Sequence, residues 1–147
     1  MAHVRTQIRA AIQAALQAGL GVDYDIFASR KYKLNMLEKP MIDLRFSNVD
    51  ISVQTMGTLR THNATFFVRV QRMATGDDMD DLLDQDEVRV TAAIEAADFS
   101  TLLEQDPELT QVVWADDADG EVPIGMIVLR YDIEYRIAKD DPETVRA

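Results

Sequence analysis

Asp77, Asp78, Asp80, Asp81, Asp84, Asp86 and Glu87 are the densest group of potential ligands in this 147-residue chain. Carboxylates gathered so closely could hold a hard cation through their oxygens. A calcium loop, however, needs ligands at fixed offsets, a central glycine and a terminal glutamate, and no glycine follows Gly76 in this stretch. The segment is expected to be a helix with an acidic, solvated face. A second group, Asp116, Asp117, Asp119 and Glu121, contains Asp-x-Asp-Gly. With Gly120 at the centre, Ala115 would take the first ligand position and Met126 the last, so a hairpin turn at Asp119-Gly120 is expected instead. No metal site is expected from either group.

His3 and His62 are the two imidazoles available as bases or ligands. A hydrolase using His62 with Ser52 or Ser100 would need a nucleophile elbow or an oxyanion loop, and neither surrounds these serines. His62 is expected at the surface. The sequence contains no Walker loop, Gly-x-Gly-x-x-Gly or His-Glu-x-x-His, so phosphate, dinucleotide and zinc-protease chemistry lack their usual anchors, and no cofactor is expected. With no cysteine, disulfides, thiolate metal sites and cysteine nucleophiles are excluded.

Charge divides the chain. Residues 1–75 hold ten Lys/Arg against five Asp/Glu, and residues 76–147 hold five against twenty-one, giving formal charges of +5 and −16. Copies of such a chain can offer one another complementary surfaces. Arg30, Lys31, Lys33 and Lys39 form a local basic patch around Tyr32. The net charge of −11 disfavours broad nucleic-acid binding, which makes an acidic protein surface the easier partner for this patch. Trp114, within Val112-Val113-Trp114-Ala115, is expected in the core.

These residues need elements to position them. Val4, Ile8, Ala11, Ile12, Ala15 and Leu16 fall on one helical stripe that is expected to stop at Gly19 and Gly21. Val22, Tyr24, Ile26 and Ala28 alternate as a strand does. Met41–Phe46 reads as a second strand, with Val49–Thr55 as its extension or successor, and Thr58–Met73 as a long further strand. Met79, Leu82, Leu83, Val90, Ala93, Ile94 and Ala97 form another helical stripe, and a short turn of helix is expected after it around Phe99–Leu103. Gln111–Ala115 and Ile124–Ala138 read as a hairpin. In its second arm Ile127, Leu129, Tyr131, Ile133, Tyr135 and Ile137 alternate with Val128, Arg130, Asp132, Glu134 and Arg136. The expectation is one α+β domain over residues 1–139, with about four to five mostly antiparallel strands and two helices on one face, then a flexible tail over 140–147. No run approaches the roughly 18 apolar residues of a membrane span, and the start leads into an amphipathic helix instead of a signal core. A cytosolic product without a cleaved leader or membrane contact is expected.

In combination, Met1–Arg9 opening a helix, Ile26-Phe27-Ala28-Ser29-Arg30 closing a strand, the basic loop Lys31-Tyr32-Lys33-Leu34 and the strand led by Pro40 resemble tailed-phage tail terminator proteins. Asp80–Glu95 is similar to that family's second helix, and Val128–Arg136 to its closing strand. The long acidic helix and the Asp116–Glu121 turn depart from a typical member. The resemblance implies a virion subunit without enzymatic activity that forms a hexameric ring, caps the tail tube, stops its polymerisation and presents a surface for joining the head. Its implied partners are itself, the tail tube protein and head-tail connector proteins, with DNA passing through the ring but not specifically bound. Its implied location is the virion tail, after assembly in the host cytoplasm. Arg30, Lys31 and Lys33 are expected to meet Asp80, Asp84 or Glu87 of a neighbour. Alternative expectations are a head-completion or adaptor protein and a cytosolic ligand-binding domain.

Overall fold

The structure, a computed structural model, describes residues 3–27, 40–53, 59–73, 79–117, 124–138 and 141–145. Helix α1 spans Val4–Leu20 and buries Val4, Ile8, Ile12, Leu16 and Leu20, the expected stripe extended by one turn. His3 caps its start through a ring nitrogen that accepts from the Arg5 N–H at 3.1 Å. The helix passes through Gly19 and ends one residue later, where the Gly21 N–H donates to the Gln17 carbonyl at 3.0 Å. Gly19 is small for a reason of packing. A Cβ there would stand 3.0 Å from the Ala93 Cβ, so glycine lets the first helix approach the second closely.

Strands β1 (Asp25–Phe27), β2 (Met41–Val53) and β3 (Leu59–Met73) precede helix α2 (Met79–Glu95). Strands β4 (Glu108–Asp117), β5 (Ile124–Ala138) and β6 (Asp141–Val145) follow it. The fold is α+β, as expected, but the sheet has six strands among the described residues. Its order is β1-β2-β3-β5-β4, with β6 pairing β5. One pair, β1 with β2, is parallel, and the intervening residues 28–40 give the dozen or so residues that a parallel connection needs. The expected strand from Val22 to Ala28 is therefore much shorter where described, and Val22 is exposed.

The two segments expected at 41–46 and 49–55 are one strand with a register shift between Phe46 and Asn48. The β4–β5 hairpin is present, while its Asp119-Gly120 turn lies outside the described residues. Residues 141–145, expected within a frayed tail, form β6. The register explains why there is room for it: β4 pairs β5 only up to Asp132, leaving the edge of residues 133–138 free. The Glu104 N–H donates to the Glu134 carbonyl at 2.9 Å within that gap, and β6 takes Ile137 and Ala138. The turn around Phe99 buries Phe99 and Leu103, held by the Leu103 N–H to the Phe99 carbonyl at 2.8 Å.

Both helical stripes pack on one row of sheet side chains. Ala64, Phe66, Val68 and Val70 of β3 stand opposite Ile133, Tyr131, Leu129 and Ile127 of β5, and all eight are buried. Met79 fills the space over Gly125, which a side chain at that position would take.

A charged group lies inside this apolar layer. Asp86 of α2 is fully buried, against the expectation that the acidic residues of this helix share a solvated face. Its carboxylate accepts from Arg72 of β3 through Nε at 2.7 Å and Nη2 at 2.6 Å, and also from the Tyr24 hydroxyl. Burial pushes the Tyr24 hydroxyl above its ordinary pKa, and the neighbouring Asp86 carboxylate adds to the shift, which keeps the hydroxyl protonated as a donor. A bidentate guanidinium–carboxylate pair with a further hydroxyl donor satisfies a charge that would otherwise be costly to bury. Asp86→Ala, which strands Arg72, is expected to lower unfolding free energy by about 3–5 kcal/mol in urea denaturation, whereas the double variant Asp86→Leu/Arg72→Met retains most of the wild-type value. A loss under about 1 kcal/mol for the single change would contradict the assigned role.

Candidate interaction surface

Because both helices cover one face of the sheet, the side chains that alternate with the core row point to the other face. Along β3 and β5 these are Asn63, Thr65, Phe67 and Arg69, and Val128, Arg130, Asp132, Glu134 and Arg136. The strands register them into two regions of different character.

The first is a concavity of about 210 Å³ lined by Asp43, Arg45, Phe67, Arg69, Met126 and Val128. Arg69 donates to Asp43 through Nε at 3.0 Å and through Nη2, which neutralises one arginine and leaves Arg45 exposed beside the apolar floor. Val113, opposite Val128 on β4, extends the apolar strip and is exposed.

The second is a depression of about 190 Å³, lined chiefly by polar and acidic residues including Asp50, Asp106, Glu108, Asp132 and Glu134. Among the described residues, Asp132 has only a loose ion pair, 3.6 Å from Arg130. Arg136 at the margin leans 3.9 Å from Glu104 instead. The open face thus separates an apolar, arginine-bearing half from an acidic half.

Trp114 corrects an expectation. It registers with core residue Ile127 but sits on the edge strand, where its side chain remains 51% exposed. With Gln111, Val113 and Ala115 also exposed, the middle of β4 presents an uncharged edge without Lys or Pro, a composition that leaves strand pairing unopposed.

Asp80 and Asp84 are exposed on α2, and Glu87 is half-buried there, near enough to Tyr131 to help raise its pKa after the larger effect of burial. The expected partners Arg30, Lys31 and Lys33, with Lys39, lie outside the described residues, as do Asp77, Asp78, Asp119 and Glu121. No group of three or more metal-ligating side chains is present among the described residues, and no described helix is long and apolar enough to cross a membrane.

His62, expected at the surface, is buried. Its Nδ1 lies 3.3 Å from the Tyr135 hydroxyl. Burial pushes that hydroxyl up to about 12, so it stays protonated, and the direction of the bond follows the imidazole tautomer, since a phenol both donates and accepts. Ser52 registers opposite Thr61, and its Oγ lies 3.5 Å from the Thr61 carbonyl. His62 is opposite Ile51, so period-two alternation sends Ser52 and His62 to opposite faces of the sheet and no nucleophile–base pair forms between them.

No protein-family model matches the chain, and no curated protein matches it. A solved structure described as "Virion of native gene transfer agent (GTA) particle" contains a chain that is similar at 15% identity and a TM-score of 0.46, covering 90% of this chain and 92% of that one. A likeness this shallow carries neither fold nor function across.

Two outcomes follow from these positions. Desolvation, with smaller contributions from Arg5, His3 and Arg60, holds the His62 pKa below its ordinary value. The unfolded chain therefore takes up a proton that the folded chain resists, and stability falls as pH drops below about 6.5. Denaturation midpoints between about pH 7 and pH 5 should fall less steeply in His62→Asn than in wild type, and equal slopes would contradict the assignment. Trp114→Ala should change stability by only about 0.5 kcal/mol, and Trp114 fluorescence should shift to the blue only when a partner covers the β4 edge.

Proposed function

We propose that this chain is a structural virion subunit, a tail terminator that assembles into a ring on the end of a tail tube, stops its growth and provides the surface that joins the head. The observation that carries this reading is the sheet face left open by the helices, where apolar and arginine-bearing residues stand beside a separate acidic depression. Such a face suits contacts between protein subunits, in which complementary potentials set register and orientation. Repetition of one such contact by rotation closes a ring. The resemblance of the segments at 1–9, 26–34, 80–95 and 128–136, with the strand led by Pro40, to tail terminators supplies the particular role. Arg30, Lys31 and Lys33 are assigned to a contact with an acidic surface of the neighbouring subunit. The partners are then further copies, the tail tube protein and the head-tail connector proteins.

Negative-stain electron microscopy of the purified chain mixed with growing tail tubes of its own phage tests this directly. A ring at one tube end with elongation arrested is expected. Bare tubes of unlimited length would overturn the terminator assignment, and binding to portal-side connectors in the same assay would assign a head adaptor instead.

A further inference from the structure

The sheet has two open edges among the described residues. On one side β1 pairs β2 only at residues 41–43, so residues 44–53 of β2 have no described partner strand on their outer side. Arg45, Ser47, Asn48, Asp50 and Ile51 are exposed along that stretch, Ile51 at 60%. On the other side β4 pairs only β5, and Gln111, Val113, Trp114 and Ala115 are exposed. An edge strand presents a row of unpaired N–H and C=O groups, which proteins ordinarily blunt with charge, proline or a covering element. Residues 109–115 of β4 carry neither charge nor proline, and half of the Trp114 surface is in solvent. Backbone pairing supplies affinity at such an edge, and the side chains on each face supply specificity.

We infer that the β4 edge of one copy pairs with the outer edge of β2 on a second copy, so that the sheet continues from subunit to subunit. The inference rests on the assembly reading above and names its contact. Charge selects the occupant. Pairing β4 antiparallel with β4 of another copy would bring Glu108 of each towards Asp116 and Asp117 of the other, and opposed like charges destabilise a strand pair. The β2 edge instead brings Arg45, which makes no ion pair with a described residue. Three antiparallel steps separate β2 from β4, so the two edges run in opposite directions, and a copy rotated about an axis near the strand direction presents β2 antiparallel to β4. Faces then fix the register. Arg45 and Val113 lie on the open face, while Val49, opposite Ala64, and Val112, opposite Leu129, lie on the helix face. Matching faces and placing Arg45 opposite Asp117, with the shift after Phe46 retained, brings Asp50 opposite Val113, Val49 opposite Trp114 and Ile51 opposite Val112. Aromatic and β-branched pairs of this kind stabilise adjacent strands. The contact joins two different edges, so it is head-to-tail, the type that rotation can close into a ring.

The chain has no cysteine, so introduced thiols report without background. Within one chain, residues 50 and 113 are three strand spacings apart, at least about 14 Å, beyond the Cα separation of about 7 Å that a disulfide spans. Full-length Asp50→Cys and Val113→Cys chains, each with a wild-type circular dichroism spectrum, would be mixed and oxidised with copper phenanthroline, in solution and on the tail tubes that the chain is proposed to cap. The mixture should give a disulfide-linked dimer holding one of each variant, and either variant alone should give none. Val113→Lys, which sets a charge in the middle of the β4 edge, should associate at least about tenfold more weakly than wild type in sedimentation under the same conditions. Association by wild type without the mixed dimer, a dimer from Val113→Cys alone, or undiminished association by Val113→Lys would overturn this contact and leave the assembly reading standing. Failure of wild type to associate in solution or on tubes would overturn both.

Discussion

A single carboxylate ties the layers together. Asp86 projects from α2 into an apolar layer, where Arg72 from β3 grips it with two nitrogens and Tyr24, just before β1, adds a hydroxyl. These donors come from parts of the chain far apart in sequence, so the bond set can form only when α2 lies in one position over the sheet. Apolar packing alone would tolerate small slides of a helix over a row of Ile, Leu and Val, whereas a buried charge is satisfied in one arrangement. The glycine contact at Gly19 then brings α1 against α2, and both helices are committed to the same face.

That commitment determines what the other face can be. With no described helix to cover it, alternate residues of β2, β3 and β5 are left to solvent or to a partner, and the sequence has placed charge there instead of core. Asp43 and Arg69 pair with one another, while Arg45, Asp50, Asp106, Glu108 and Glu134 make no ion pair with a described residue. Catalysis would need a base, a nucleophile and an orienting group brought within hydrogen-bond reach. Here His62 and Ser52 diverge across the sheet, and His62 is spent on a buried bond to Tyr135. What this face offers is area, apolar strips and segregated charge, which is the chemistry of a contact between macromolecules.

Much of the fold was legible because period and face coincide. The α1 stripe, the alternation along β5 and the stripe of α2 are direct outcomes of 3.6-residue and two-residue repeats. Asp86 was missed through its acidic neighbours, although its position, three residues after Leu83 and four before Val90, puts it on the apolar stripe. His62 carried a similar signal, standing two residues before Ala64 in a row that continues through Phe66, Val68 and Val70. Trp114 carried none. Its exposure depends on β4 being an edge strand, and strand order is a tertiary outcome that a Val-Val-Trp run does not encode. The same holds for β6 and the parallel pairing of β1, which exist because of where other strands end. The acidic depression collects its carboxylates from four segments, so no local spacing could have announced it.

The central claim is that the open sheet face is a contact surface in the assembled particle, and hydroxyl-radical footprinting measures it residue by residue. The chain would be oxidised alone and again after mixing with the tail tubes that it is proposed to cap, with products mapped by mass spectrometry. Phe67 and Met126 are predicted to lose most of their reactivity on mixing, while Val22, just after α1, keeps its own. Unchanged reactivity at Phe67 and Met126, with tubes present in excess, would contradict the account.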